Sequence, residues 1–177
     1  MKYVVIIPAH NEEQFLPGLL ERLYAQSLPA EEIILVNDQS SDQTEAIMQA
    51  AVKRNANTSY LNHVSSNEHL PGAKVVNAFN FGLNAIKADY EFIVKLDADL
   101  LLPTEYFSRI AQAFQDPKTG MAGGFCYEKN KVGEWKKNHP MHQDHIRGPP
   151  LFPDGQDECS LARAAKSAPP SISSFSA

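Results

Sequence analysis

The chain has 177 residues, 43% hydrophobic and 21% charged, with a formal net charge of −5, which suits one globular domain with a sizeable core. That negative balance argues against nucleic acid as the main partner, since nucleic acid asks for a basic surface. No run approaches the roughly 20 apolar residues of a membrane helix, and the apolar stretch after Lys2 is too short for a secretion signal. Cys126 and Cys159 lack a Cys-x-x-Cys spacing and read as reduced thiols. The expected location is the cytoplasm, with docking on a membrane surface as a possible extension.

Residues 3–7 are uniformly apolar, as in a strand covered on both faces. Asn11-Glu-Glu-Gln14 has the spacing of a capping box, with Asn11 as N-cap and Gln14 reaching back. Phe15, Leu16, Leu19, Leu20, Leu23 and Tyr24 then form a stripe at helical spacing. Residues 33–36 read as a second strand. Asp42-x-x-Glu45 reads as another cap, opening a helix with Ala46, Ile47, Ala50 and Ala51 on one face.

A third strand is expected over 58–61. A turn at Pro71-Gly72 precedes an amphipathic helix carrying Val75, Val76, Phe79, Leu83 and Ile86. The run from Tyr90 then reads as a buried strand that ends on two carboxylates, Asp97 and Asp99. Period-2 geometry puts both on one side of the backbone. Two acids converging there repel unless a positive charge sits between them. Hard divalent cations are the usual answer, because they share carboxylate oxygens with phosphates. Pro103 suits the first turn of a helix with inner face Tyr106, Phe107, Ile110 and Phe114, and residues 121–127 return to the sheet.

Strands alternating with helices imply βαβ units, an α/β fold and a mostly parallel sheet. Ligands in such folds bind outside the carboxyl ends of the strands. Residues 8–12, Asn37-Asp38 and residues 97–99 all lie at such ends. From Gly148 onward eleven of thirty residues are Pro or Ser, a composition that buries too little to offset its ordering entropy. His139, His142 and His145 are interrupted by Pro140 and read as a loop rather than a zinc site. Trp135 reads as packing or acceptor stacking, and Gly123-Gly124 as a bulge or a close approach.

Val4-Val-Ile-Ile-Pro-Ala-His-Asn-Glu-Glu13, Ile34-Leu-Val-Asn-Asp-Gln-Ser-Ser-Asp-Gln-Thr44 and Lys95-Leu-Asp-Ala-Asp99 together resemble the signatures of family 2 glycosyltransferases with the GT-A fold. Lys74 through Gly82, with Asn80-Phe-Gly82, resembles the family's Asn-x-Gly helix. The resemblance spans residues 2–127 in order. It implies a Rossmann-like GT-A core over 1–128, an acceptor-side loop region over 129–147, and a tail over 148–177 that is disordered or foreign to the family.

The resemblance also implies roles. Pro8, Ala9 and Glu12 match the loop lining the base and ribose, and Asp38 matches the acid that accepts the uracil imide proton. Asp97 matches the ribose-side acid, and Asp99 the ligand of Mg²⁺ or Mn²⁺ bridging to the diphosphate. Lys74 matches a basic residue facing the nucleotide. The implied reaction moves a sugar from a nucleoside-diphosphate sugar, with a UDP-sugar as the first expectation, to a hydroxyl acceptor with inversion. The acceptor is open among glycans, lipid-linked and small molecules, and the general base has no match here. The alternatives are a nucleotide-binding core that does not turn over, and an aspartyl phosphotransferase with Asp97 as nucleophile.

Overall fold

The first strand, β1 (Tyr3–Ala9), has no polar side because both its faces are covered; Tyr3, Val4, Val5, Ile6 and Ile7 are all fully buried. Burying side chains of this size stabilises by about 1.5–3 kcal/mol each, so β1 is the centre of the core. The computed structural model describes residues 1–64, 73–124, 127–129, 134–137 and 162–166. After β1 come α1 (Leu16–Tyr24), β2 (Glu32–Asp38), α2 (Thr44–Arg54), β3 (Thr58–His63), α3 (Ala73–Leu83), β4 (Phe92–Leu96) and α4 (Tyr106–Ala113). Four short strands follow: β5 (Met121–Ala122), β6 (Tyr127–Lys129), β7 (Trp135–Lys137) and β8 (Ala162–Lys166).

The main sheet has the order β3-β2-β1-β4-β8-β5, while β6 and β7 form a separate antiparallel pair. Strands β1 to β4 are mutually parallel, and β8 runs antiparallel between β4 and β5. The chain winds outward from β1 through β2 to β3, then returns to lay β4 on the other flank of β1. That reversal opens a crevice at the strand ends.

Alternation along the strands divides the core. Tyr3, Val5, Ile7, Ile33, Leu35, Phe92, Val94 and Leu96 pack with α1, α2 and α4. Val4, Ile6, Ile34 and Val36 pack with Ala78 and, in part, Phe79 and Leu83 of α3. The expected inner face of α4 is as observed, with Tyr106, Phe107, Ile110 and Phe114 buried. Its start is held from across the chain: Gln26 Oε1 accepts the Phe107 amide, and Gln26 Nε2 donates to the Pro103 carbonyl at 2.8 Å. Pro103 itself lies a turn ahead of the helix.

Several expectations need correction. Asn11 does not cap α1. The helix starts at Leu16 with Phe15 at the N-cap position and no side-chain cap bond, because Asn11 has φ 57° and is committed to another loop. The buried face of α2 is Thr44, Met48 and Ala51, with Ile47 partly covered, while Ala46 and Ala50 are exposed. An alanine suits either face, and the large Met48 decides. Val75 and Val76 are 45% and 53% exposed, because the first turns of α3 project past the strand ends. Among the described residues of the expected return over 121–127, Met121-Ala122 joins the main sheet, through β8, and Tyr127 belongs to β6. Within the segment 148–177, read from composition as disordered or foreign, residues 162–166 form β8 and pair with β4.

The approach of α3 to the sheet depends on one glycine. A Cβ at Gly82 would stand 2.6 Å from Ile6 Cγ2 and 3.0 Å from Val36 Cγ2, both β-branched side chains in a closed core. Gly82→Ala is therefore expected to cost about 1–3 kcal/mol by overpacking, read as an earlier urea midpoint at unchanged m-value. A variant with the wild-type midpoint would mean that α3 can lift from β1 and β2 freely.

Candidate nucleotide-binding site

Two loops at the strand ends are laced together. From the β1–α1 loop, the Asn11 amide donates to Ser40 Oγ at 3.0 Å, the Glu12 amide to Thr44 Oγ1 at 2.7 Å, and the Glu13 amide to Asp42 Oδ2 at 3.1 Å. From the β2–α2 loop, the Ser41 amide donates to Asn11 Oδ1 at 2.8 Å and the Gln43 amide to Glu13 Oε2 at 2.9 Å. His10 Nδ1 lies 2.6 Å from the Asp38 carbonyl oxygen. Asn11 supports both its left-handed backbone and its bond to Ser41, a combination that a short amide side chain tolerates. Asp42 also accepts the Thr44 amide at 3.0 Å, but the N-cap position of α2 is Gln43, without a side-chain cap bond, so the expected Asp42 cap is not formed. Slight desolvation would raise the Asp42 carboxyl, but the bonds from Thr44 and Glu13 outweigh it and hold the group below its ordinary value.

The lacing carries the sequence-predicted residues with it. Ala9 is buried, Pro8 and Glu12 are half-buried, and Asp38 is buried as the last residue of β2. Asp38 Oδ1 lies 3.0 Å from His63 Nδ1 at the end of β3, where the two residues are register partners. The alternation of β4 continues past its end: Leu96, Ala98 and Leu100 are buried, while Lys95, Asp97 and Asp99 are half-buried between them. Asp97 and Asp99 thus keep the half-buried side of this alternation with Ile93 and Lys95. Lys74 stands exposed in the first turn of α3.

Asp97 has a positive partner within the chain, because Lys95 Nζ donates to Asp97 Oδ1. Lys95 lies two residues before Asp97, on the same side of the strand. Among the described residues, Glu12 has no such partner. Burial, then the charges of Asp99, Asp42 and Asp97, push its carboxyl up to about 7. The end of β4 and the β1–α1 loop therefore enclose a strongly negative corner. A separate hollow of about 400 Å³ between α4 and β5, lined by Pro103, Tyr106, Ile110 and Ala122 among others, includes none of these residues.

Residues 4–166 match the family model described as Glycosyl transferase family 2. The chain belongs to glycosyltransferase family 2. It is 39% identical over 119 residues to the undecaprenyl-phosphate 4-deoxy-4-formamido-L-arabinose transferase of Pseudomonas fluorescens, covering 62% of this chain and 31% of the relative. It is 32% identical over 120 residues to the protein of the same name from Serratia proteamaculans, covering 65% and 34%. The chain thus spans about a third of the length of these relatives. Among solved structures, it resembles S. aureus TarS in complex with UDP-GlcNAc at 29% identity and a TM-score of 0.55, covering 68% of this chain and 33% of that one. The mannosyltransferase PcManGT of Pyrobaculum calidifontis, solved with GDP-Man and Mn2+, shares the fold at 22% identity and a TM-score of 0.58, covering 68% and 34%. The fold is GT-A, and membership of this family sets aside the aspartyl-phosphotransferase alternative.

Within this family 2 core, no three His, Cys, Asp or Glu side chains among the described residues converge closely enough to hold a metal ion unaided. Mg²⁺-like ions commonly take only one or two carboxylates and complete their shell with phosphate oxygens and water. A donor set of Asp99 beside a negative corner, open at the strand ends, fits a cation that arrives with a diphosphate better than a permanently caged one. Residues that sequence reasoning missed are His10, Lys95 and His63. The period-2 rule applied to Lys95 would have exposed its pairing with Asp97. His63 escaped because the third strand was expected to stop two residues earlier. His139, His142, His145, Cys126 and Cys159 lie outside the described residues, as does the side chain of Trp135.

The raised Glu12 carboxyl has a consequence for stability. Its folded value of about 7 stands above its ordinary 4.5, so between these pH values the folded chain holds the proton that the unfolded chain has lost. Stability should therefore fall as pH rises from about 4.5 to 7, by on the order of 1 kcal/mol once solvent screening is allowed for. Glu12→Gln in chelator-treated protein should flatten that part of the pH–stability curve. An unchanged slope in the variant would show that the corner is not the source.

Proposed function

We propose that this chain forms the donor-binding core of a glycosyltransferase that accepts a nucleoside-diphosphate sugar, with a UDP-sugar as the first candidate. The observation that carries the reading is the joining of the β1–α1 and β2–α2 loops opposite the carboxylate-rich end of β4. On this reading Asp38 would meet the base and Asp99 would take the metal. Pro8, Ala9 and Glu12 would line the base and ribose, Asp97 would serve the ribose side, and Lys74 would reach toward the phosphates. The Lys95 ammonium holds Asp97 in place for that role.

Mg²⁺ or Mn²⁺ at Asp99, when bound, would neutralise the charge that grows on the departing diphosphate. Glu12, half-buried beside it, would lose its proton as the cation arrives, so the corner is tuned to receive positive charge. Inversion at the sugar carbon and a hydroxyl acceptor activated by a base are the family-level expectation. The relatives named above suggest a second acceptor class, a polyprenyl phosphate. Such a phosphate is already ionised at neutral pH and asks for no general base. Among the described residues no helix is long and apolar enough to cross a membrane; the location proposed here is the cytoplasm, where a lipid acceptor would be met at a membrane surface.

Calorimetric titration of UDP with and without Mn²⁺ tests the donor site. Binding should tighten with the metal in wild type by about tenfold or more, an amount worth about 1.4 kcal/mol, and Asp99→Ala should remove the metal's share while leaving weak metal-free binding. Equal binding with and without Mn²⁺ would refute Asp99 as metal ligand. Release of UDP from a UDP-sugar, in the presence of a polyprenyl phosphate, separates turnover from binding alone.

A further inference from the structure

The side chain that completes the base-reading end of the site is on none of the motifs. Asp38 ends β2 and His63 ends β3, and the parallel register places them side by side. Both point to the face covered by α3, since Ile34 and Val36 on β2 and Leu61 on β3 pack there. His63 Nδ1 meets Asp38 Oδ1 at 3.0 Å, with the two side chains only 14% and 9% exposed. The imidazole is itself held, its ring centroid 5.1 Å from that of Phe81 on α3 at an interplanar angle of 52°. On the main-chain side, His10 Nδ1 fixes the Asp38 carbonyl. Neighbouring Asn37 is anchored by donating to Asn62 Oδ1 at 2.8 Å and by accepting the Ser40 amide at 3.1 Å.

We infer that His63 is a positioning residue that sets nucleobase selectivity through Asp38, and that the site prefers bases presenting a ring N–H over those presenting a ring nitrogen lone pair. With Nδ1–H donating to Oδ1, the carboxylate plane is fixed and one of its oxygens is occupied. Among the described residues, the other oxygen accepts no hydrogen bond. A carboxylate is an acceptor only, so an oriented, nearly buried one rewards an N–H such as uracil N3–H or guanine N1–H. It repels cytosine N3, which offers a lone pair at the same place. Without His63 the carboxylate could turn about its own axis, and the discrimination would fade even if the pocket kept its shape. The inference rests on the donor-site reading above and adds to it the group that orients the reader.

UDP and CDP make a suitable pair of probes, because they differ only at the base edge in question. Both are titrated with Mn²⁺ into wild type, His63→Leu and His63→Asn, each variant first checked for a cooperative thermal transition. Wild type should favour UDP over CDP by about tenfold or more, the size expected of a hydrogen bond to a charged group. His63→Leu fills the space without a donor and should bring the UDP/CDP ratio close to one, chiefly by weakening UDP. His63→Asn keeps an N–H near the Nδ1 position and should restore most of the ratio. A role in stability alone would weaken both nucleotides together and leave the ratio unchanged in His63→Leu, which would overturn the inference. So would a His63→Asn variant as unselective as His63→Leu, which also answers the case in which the leucine variant does not fold. Should wild type bind neither nucleotide, the donor-site reading falls and takes this one with it. UDP binding with an unmoved ratio removes this one alone.

Discussion

The lacing between the β1–α1 and β2–α2 loops is the constraint on which the site depends. Backbone amides of residues 11–13 are satisfied by side chains of residues 40–44, and two bonds run back the other way. Loop amides near a binding crevice need partners, and here each loop uses the other rather than a helix or solvent. The two strand ends therefore move as one body, with Glu12 and Asp38 on it. The two residues proposed to meet the base and ribose are thus tied together by bonds that involve neither carboxylate directly.

Opposing charge shapes the other half of the crevice. Asp97 and Asp99 follow from the pleat of β4, and the same pleat puts Lys95 on their side. Lys95 answers Asp97 from within the chain, while burial and the charges of Asp99, Asp42 and Asp97 raise the Glu12 carboxyl. On the donor-site reading proposed above, such a corner would favour a ligand that brings cations to the acids over a bare diphosphate.

Much of this was legible in the sequence, and the gaps have physical causes. Uniformly apolar β1, the alternation in β4 and the stripe of α4 report burial directly, so strand order apart, the layered α/β plan could be read. The Asn11 loop could not, because Asn, Asp and Ser serve helix caps and inter-loop bonds with the same atoms. Ala46 and Ala50 misled because alanine carries little information about which way a helix faces. His63 was out of reach on two counts: the third strand was expected to end at Leu61, and its partner is set by register between strands, which no single strand encodes. The place of β8 was hidden likewise, since a five-residue strand among prolines and serines has no local signal of its own.

That last strand has a consequence for how the molecule is assembled. β4 carries the acids of the site, yet one of its two edges pairs with β8, so that Leu96 faces Ala162. While the polypeptide is being synthesised, every element from β1 to β4 can dock before residues 162–166 leave the ribosome. For that interval β4 presents a bare row of amides and carbonyls beside an apolar face, the kind of edge that recruits strands from other chains. Closure of the sheet is a late event of high contact order. The yield of folded molecules should then depend more on how quickly the distal strand arrives, and on chaperones guarding that edge, than on the stability of the finished core.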